Sequence, residues 1–303
     1  MDNLENIQFD NRLTSISPCG DYTSPPPHQI HETWSSHGQI MTRVAEGADT
    51  VIYYNDDIRR TGLRFHSEYL RKLWRHVRTN YGEFGPENSK LYAFFHAKVP
   101  TSLYKHNSIQ SYFDVNSDCR NVIDFVGGDE KAWSRSMNAT GDLDTITHEV
   151  AHIIEWSSKG VHGSPTYQLW GDSAWAEIFT FDAYYSLGLD MDLKRWYSQM
   201  HQSKYDFPRY NTYWFRDWFY PIYKNFGGTR VLSRYFDTLA LHFPKKDNGW
   251  EYERDINLGE FVHFFSGAAK SDLKTYAIRA FRWDSNAERE LLEAKSNFPG
   301  IWY

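Results

Sequence analysis

Between Arg64 and Tyr81 the apolar residues Leu70, Leu73, Trp74, Val77 and Tyr81 recur at i, i+3, i+4 and i+7. That is the spacing of one buried face of an α-helix. Gly82 and Pro86 break the pattern and end the helix. Two compact apolar runs follow, Lys90 to Val99 (KLYAFFHAKV) and Asn121 to Val126 (NVIDFV), the second stopped by Gly127 and Gly128. Their length and their aromatic and β-branched content predict strands. A further apolar helical run spans roughly Leu143 to Ser157.

The second half reads as mostly helical. Asp172 or Ser173 can cap a helix that runs to about Leu187, since both side chains accept from a free backbone N–H. Trp214 to Asn225 is strongly aromatic and helical in pattern. Gly227-Gly228-Thr229 opens a helix with the apolar face Leu232, Tyr235, Phe236, Leu239 and Phe243, stopped by Pro244. Two short helices, Glu260 to Ala269 and Asp272 to Trp283, part at Ser271. At the other end, Ser24 to His37 is rich in Pro, His and Ser and reads as an irregular arm; His28, His31 and His37 lack the spacing of metal ligands. The order predicts an α+β fold: an arm over 1–40, a small mixed-sheet upper lobe over 41–165, and a mainly helical lower lobe over 166–303. A cleft is expected between the lobes.

Composition narrows the classes. The 303 residues suffice for a sizeable core, and 41% apolar with 24% charged residues is ordinary for a soluble globular chain. The 12 Trp and 21 Tyr are first of all core, with a capacity to line a groove for sugars or peptides. A net charge of −6 argues against nucleic acid as partner, which calls for a basic stripe. No apolar run is long enough for a membrane span. The start, Met1-Asp2-Asn3-Leu4-Glu5, is not a signal peptide, which leaves a cytoplasmic chain or a mature one whose signal was removed. Cys19 and Cys119 allow one bridge or two thiols, and Asn138-Ala139-Thr140 matches a glycosylation sequon.

The chemistry concentrates at His148-Glu149-Val150-Ala151-His152. Two histidines four apart on a helix share a face, so both imidazoles can reach one zinc ion. Glu149, about 100° round the helix, is placed to act as general base rather than ligand. A catalytic zinc needs a third protein ligand. Glu177, in Trp175-Ala176-Glu177-Ile178-Phe179, is the leading candidate; Asp182, His162 and Glu155 are rivals. Asp182 and Glu155 can instead orient an imidazole. Tyr210, Tyr213 and His201 are candidate donors to a developing oxyanion. The strand at Asn121 to Val126 is the expected partner of an extended substrate backbone.

These two motifs resemble the gluzincins, zinc metallopeptidases with H-E-x-x-H and a downstream glutamate ligand. Over roughly residues 60 to 285 the chain looks most like the enhancin-like, mucin-directed group, to which the aromatic block Tyr213 to Tyr220 and the helix Phe261 to Ala269 are similar in texture. That group usually has Gly where this chain has Ala151, and many gluzincins carry Asp where it has Phe181. The resemblance implies a two-lobed zincin-like fold, one zinc per chain, and hydrolysis of peptide bonds in a protein or glycoprotein. It also implies a secreted or cell-surface enzyme. Three other readings stay open: a zinc hydrolase of a non-protein amide or ester, a catalytically inactive zincin-fold module that binds glycans or proteins, and a structural or self-assembly protein with no metal.

Overall fold

The computed structural model describes residues 25–32, 38–56, 58, 63–82, 84, 90–97, 110–112, 120–126 and 140–303. Cys19, Cys119, Asn138 and His37 lie outside them. The chain is α+β. Its first part forms the strands β1 (Gln29–His31), β2 (Ile40–Glu46), β3 (Thr50–Tyr54), β4 (Leu91–His96), β5 (Gln110–Tyr112) and β6 (Asn121–Val126), with helix α1 (Leu63–Tyr81) between β3 and β4. The sheet order is β1-β2-β3-β4-β6-β5. β3, β4 and β6 run parallel, and antiparallel pairs close both sides: β1 with β2, β2 with β3, and β5 with β6.

The composition of the strands explains this order. β3, β4 and β6 are buried along their whole length, as strands covered on both faces must be. One face of the sheet presents Ile52, Tyr54, Ala93, Phe95, Ile123 and Phe125 to the main core. The other carries Val51, Tyr53, Tyr92, Phe94 and Val122, with Ile30 and Met41 from β1 and β2. On α1 the predicted stripe Leu70, Leu73, Trp74, Val77 and Tyr81 is fully buried in the main core. Two expectations change. Part of the N-terminal arm is ordered as β1, which pairs with β2. And β6 is an interior strand, because β5 covers it: Gln110 faces Asp124 and Tyr112 faces Val122. Among the described residues, the edge on this side is β5.

The remainder is helical: α2 (Thr140–Ser157), α3 (Tyr167–Trp170), α4 (Ala174–Ser186), α5 (Asp190–Met200), a π-helical segment (Trp214–Phe219) running into α6 (Tyr220–Asn225), α7 (Thr229–His242), α8 (Leu258–Ala269), α9 (Lys274–Phe281) and α10 (Ser285–Asn297). The face predicted for α7 is buried from Leu232 to Phe243. α8 opens with a capping box: the Asn257 side chain accepts from the Glu260 N–H, while the Glu260 carboxylate accepts from the Asn257 N–H. That satisfies two otherwise orphaned donors. α5 and α10 have no counterpart in the periodicity reading. α5 buries no residue fully; its stripe Leu193, Trp196, Tyr197 and Met200 is only partly buried against the core, and α10 buries only Ala287, Leu291 and Ala294.

α2 and α4 form the centre of the molecule. Ile146, Val150, Ile153 and Ile154 anchor α2 in the main core, and the Trp175 indole N–H donates to the Ala151 carbonyl at 2.9 Å. Tyr69 on α1 meets Thr147 in a short hydroxyl pair of 2.5 Å. No helix among the described residues is long and apolar enough to cross a membrane.

Candidate metal centre

The apolar residues of α2 fix its roll, and that roll decides where the histidines go. His148 and His152 emerge on one side, with their Nε2 atoms 3.1 Å apart. Both line a cavity of about 370 Å³ together with Asp144, Thr145, Glu149, Asp172 and Trp196.

The His152 ring is held from behind. Its Nδ1 lies 2.9 Å from Glu155 Oε2. The other Glu155 oxygen accepts from Ser164 Oγ at 2.6 Å and from Trp170 Nε1 at 2.7 Å. A carboxylate behind an imidazole fixes its tautomer and turns the opposite nitrogen outward. Glu155 therefore stands behind His152 and is not part of the group formed by His148, His152 and Asp172. Burial lowers the His152 pKa, but Asp172 and Glu155 outweigh it and hold the ring up at about 10.

Asp172 completes the cluster. Its Oδ2 lies 3.4 Å from His148 Nε2 and its Oδ1 3.4 Å from His152 Nε2. The histidines in turn hold this carboxylate far below the usual range. The reading of Asp172 as a helix cap is corrected: α4 starts at Ala174, its N-cap is Ser173, and no side chain caps it. The turn before Asp172 redirects it. Gly171 has φ 62° and ψ −164°, a region open essentially to glycine, and a Cβ there would lie 2.6 Å from the Phe207 ring. The Gly171-Asp172 dipeptide was the available sequence signal, masked by the capping preference of Asp.

These separations suit a metal ion. Ligands about 2.0–2.1 Å from a tetrahedral zinc stand about 3.3–3.4 Å from one another, so donor atoms at 3.1, 3.4 and 3.4 Å outline one face of such a site. Two imidazoles and one carboxylate are donor types that zinc accepts in catalytic sites.

Glu149 stands beside this face, nearly buried, with Oε1 3.9 Å from His148 Nε2. Burial raises its pKa to about 7 against the pull of the two histidines. Glu177 does not share the cluster among the described residues. It is buried on α4, one oxygen accepts a short hydrogen bond from the Tyr205 hydroxyl, and Oε2 has no hydrogen-bond partner. Burial lifts its pKa to about 7, opposed by Tyr205 and Ser203. Its backbone carbonyl accepts from the Trp196 indole at 2.8 Å, which docks α5 on α4 and sets Trp196 in the cavity wall. Asp144, at the same wall, is gripped by Arg195 at 2.6 and 2.9 Å and by the Tyr184 hydroxyl at 2.6 Å.

The other predicted residues lie elsewhere. Asp182 is fully buried and accepts from the hydroxyls of Tyr81, Tyr223 and Thr229 at 2.8, 2.8 and 2.5 Å, with His76 Nε2 at 2.9 Å. It ties α1, α4, α6 and α7 together and orients neither motif histidine. Tyr210 is 62% exposed, Tyr213 stacks under the Arg216 guanidinium at 3.6 Å, and His201 rests on Tyr197 beyond the end of α5. None of the three lines the cavity. His162 pairs through its backbone with Trp250 and Tyr252, and its ring stands edge-on to the Trp250 indole.

Fold and site together define an α+β protein with two histidines of one central helix and a carboxylate from the turn before α4 in a single cluster. No protein-family model matches the chain, and no curated protein sequence matches it. Among solved structures, the chain is similar to a conserved protein of unknown function from Bacillus anthracis str. Ames, with a TM-score of 0.50 and 14% identity over 82% of this chain and 50% of that one. A mutant form of a functionally unknown conserved protein from the same organism gives a TM-score of 0.48 and 10% identity over 84% and 52%. The chain thus spans about half the length of the solved structures it matches. The first likeness concerns the fold alone.

Proposed function

We propose that this protein is a zinc-dependent hydrolase of the gluzincin type that cuts peptide bonds in proteins or glycoproteins. The observation that carries the reading is the tetrahedral-face spacing of His148, His152 and Asp172 with buried Glu149 beside it. His148 and His152 would hold the ion through Nε2. Asp172 is the carboxylate in reach, and Glu177 is the ligand that the resemblance implies. Zinc in this position supplies Lewis acidity, which lowers the pKa of water and polarises a carbonyl.

The chain's own groups do the rest. Glu149 takes a proton from the attacking water and delivers it to the leaving nitrogen; its burial keeps competing water away. Glu155 keeps His152 in the tautomer that presents Nε2. An extended substrate would lie along β5, the edge strand among the described residues, which packs next to α2.

Elemental analysis of protein purified without a metal-affinity tag tests the first half. At least one zinc per chain is expected, with one equivalent lost in His148→Ala/His152→Ala. Cleavage of native proteins and glycoproteins tests the second. Glu149→Gln should keep its zinc and lose turnover by at least about a hundredfold, the usual worth of a general base. An equally active Gln variant sinks the base assignment. Turnover of small amides with no protein cut redirects the reading to a non-protein amide hydrolase. Zinc-free protein that still holds glycans or proteins makes it a binding module.

A further inference from the structure

The approach to α4 is held by a second segment of the chain. Tyr205 and Thr212 exchange both backbone hydrogen bonds at 2.8 Å, which closes residues 205–212 into a tight loop. Across it, the Thr212 hydroxyl donates to the Arg209 carbonyl at 2.6 Å. The fully buried Trp214 donates its indole N–H to the Phe207 carbonyl at 3.0 Å and so anchors the loop in the main core. The Tyr205 and Phe207 rings pack on each other, with centroids 5.1 Å apart. The two rings form one anchored body.

That body reaches both carboxylates that compete for the third ligand position. The Phe207 ring lies over Gly171, where a Cβ would come within 2.6 Å of it. Gly171 holds φ 62° and ψ −164°, a conformation that glycine enters easily and leaves as easily. The ring fills the space of the missing side chain and restrains the turn. Asp172 depends on that restraint, because its own side chain is 66% exposed and meets the two imidazoles only at 3.4 Å. Tyr205 acts on the other carboxylate. Its hydroxyl donates a short hydrogen bond to Glu177 Oε1 and meets the Ser173 side chain. Glu177 Oε2 has no hydrogen-bond partner, so Tyr205, helped by Ser203, is what keeps this buried carboxylate from turning. No side chain caps α4; the loop takes over the task of fixing its entry.

We infer that Phe207 and Tyr205 are positioning residues of the metal centre, Phe207 for Asp172 through Gly171 and Tyr205 for Glu177. The inference rests on the zinc reading above and deepens it, by assigning the aim of the carboxylates to a segment outside both sequence motifs. Groups that orient metal ligands in this way cost 10–100-fold in metal affinity when they are replaced.

Cobalt(II) titration of the full chain tests this, because the visible bands of bound cobalt report the number and geometry of its ligands. Competition with a chromophoric chelator gives the affinity. Phe207→Ala should bind cobalt about 10–100-fold more weakly with shifted bands, and Tyr205→Phe should do the same by a smaller factor. The losses should not add. Phe207→Ala should cost little more once Asp172→Asn is present, and Tyr205→Phe little more once Glu177→Gln is present, as for residues that act through one another. Phe207→Leu keeps much of the ring's volume; it stands in if Phe207→Ala fails to fold and should fall between it and the wild type. Gly259→Ala, which strains the contact of α8 with α10, controls for mere loss of stability and should keep the wild-type affinity and bands. Unchanged bands and affinity in the folded Phe207 and Tyr205 variants, beside a cobalt-loaded wild type, overturn this inference alone. So do losses that add in full in the double variants. A wild type that takes up no cobalt overturns the zinc reading and this inference with it.

Discussion

At the scale of single residues, the proposed zinc site turns on which carboxylate would be its third ligand. Asp172 faces both imidazole nitrogens at 3.4 Å but is otherwise two-thirds exposed. Glu177 is buried, with an oxygen that lacks a hydrogen-bond partner among the described residues and a hydrogen bond from Tyr205 on the other. Distance favours Asp172, while the cost of burying a half-satisfied carboxylate makes Glu177 the rival. The distances predict the larger loss of zinc affinity for Asp172→Asn, on the order of 10–100-fold as for other groups that set a metal site, and a smaller one for Glu177→Gln. Competition with a chromophoric chelator ranks the two. The opposite ranking hands the position to Glu177, with Asp172 left as a neighbour of the two histidines.

At the scale of elements, the helical part depends on a close approach of α8 and α10. A Cβ on Gly259 would lie 2.2 Å from the Leu291 backbone nitrogen and 2.3 Å from the Glu290 carbonyl carbon. Backbone atoms in a packed helix cannot move aside as a flexible side chain can. Gly259→Ala should therefore force the helices apart and cost roughly 1–3 kcal/mol, the usual range for overpacking. Thermal melting would show this as a fall of several degrees with the metal content unchanged. An unaltered melting temperature would mean that the two helices yield more easily than their spacing implies. The exposed face of the same element offers the control: Leu292 is 61% exposed, and Leu292→Ala should be nearly neutral.

At the scale of the whole molecule, acid stability has a nameable contributor. His66 on α1 is fully buried against Phe95, and burial pushes its pKa from 6.5 down to about 4. The folded state keeps the ring neutral where the unfolded chain protonates it. Its contribution is therefore whole above pH 6.5 and is lost as the pH falls from 6.5 towards 4, by on the order of 3 kcal/mol in all. Chemical denaturation at pH 7.5 and pH 5 should show a steeper loss for the wild type than for His66→Leu. Parallel losses in the two proteins would remove His66 from the account. The whole molecule also explains why so much aromatic surface is present. Trp170, Trp175, Trp214 and Trp218 are each at most 1% exposed, and Trp170 stacks on Trp175 and Trp214 on Phe219. Most of the aromatic surplus thus fills the core between α2, α4 and α8, with Trp196 set aside for the cavity wall.

The sequence by itself determined whatever is encoded at the repeat of one element. The stripe of α1, the buried runs of β4 and β6, the face of α7 and the pairing of His148 with His152 all follow from spacings of a few residues. Backbone geometry turns such spacings directly into faces. What the tertiary structure decided is which faces meet. Nothing in the spacing tells that Gly171 turns Asp172 towards two imidazoles 20 and 24 residues behind it, or that Asp182 is claimed by His76 on another helix. It does not tell that β5 covers β6, or that Glu32, His96 and Asp124 converge from three separate segments. α5 is the intermediate case: Leu193, Trp196, Tyr197 and Met200 follow helical spacing but are only partly buried against the core, and the docking of α5 on α4 through Trp196 is a tertiary contact. Local pattern is set by bonds along the chain, whereas the site is set by packing between segments that the chain brings together only once it is folded.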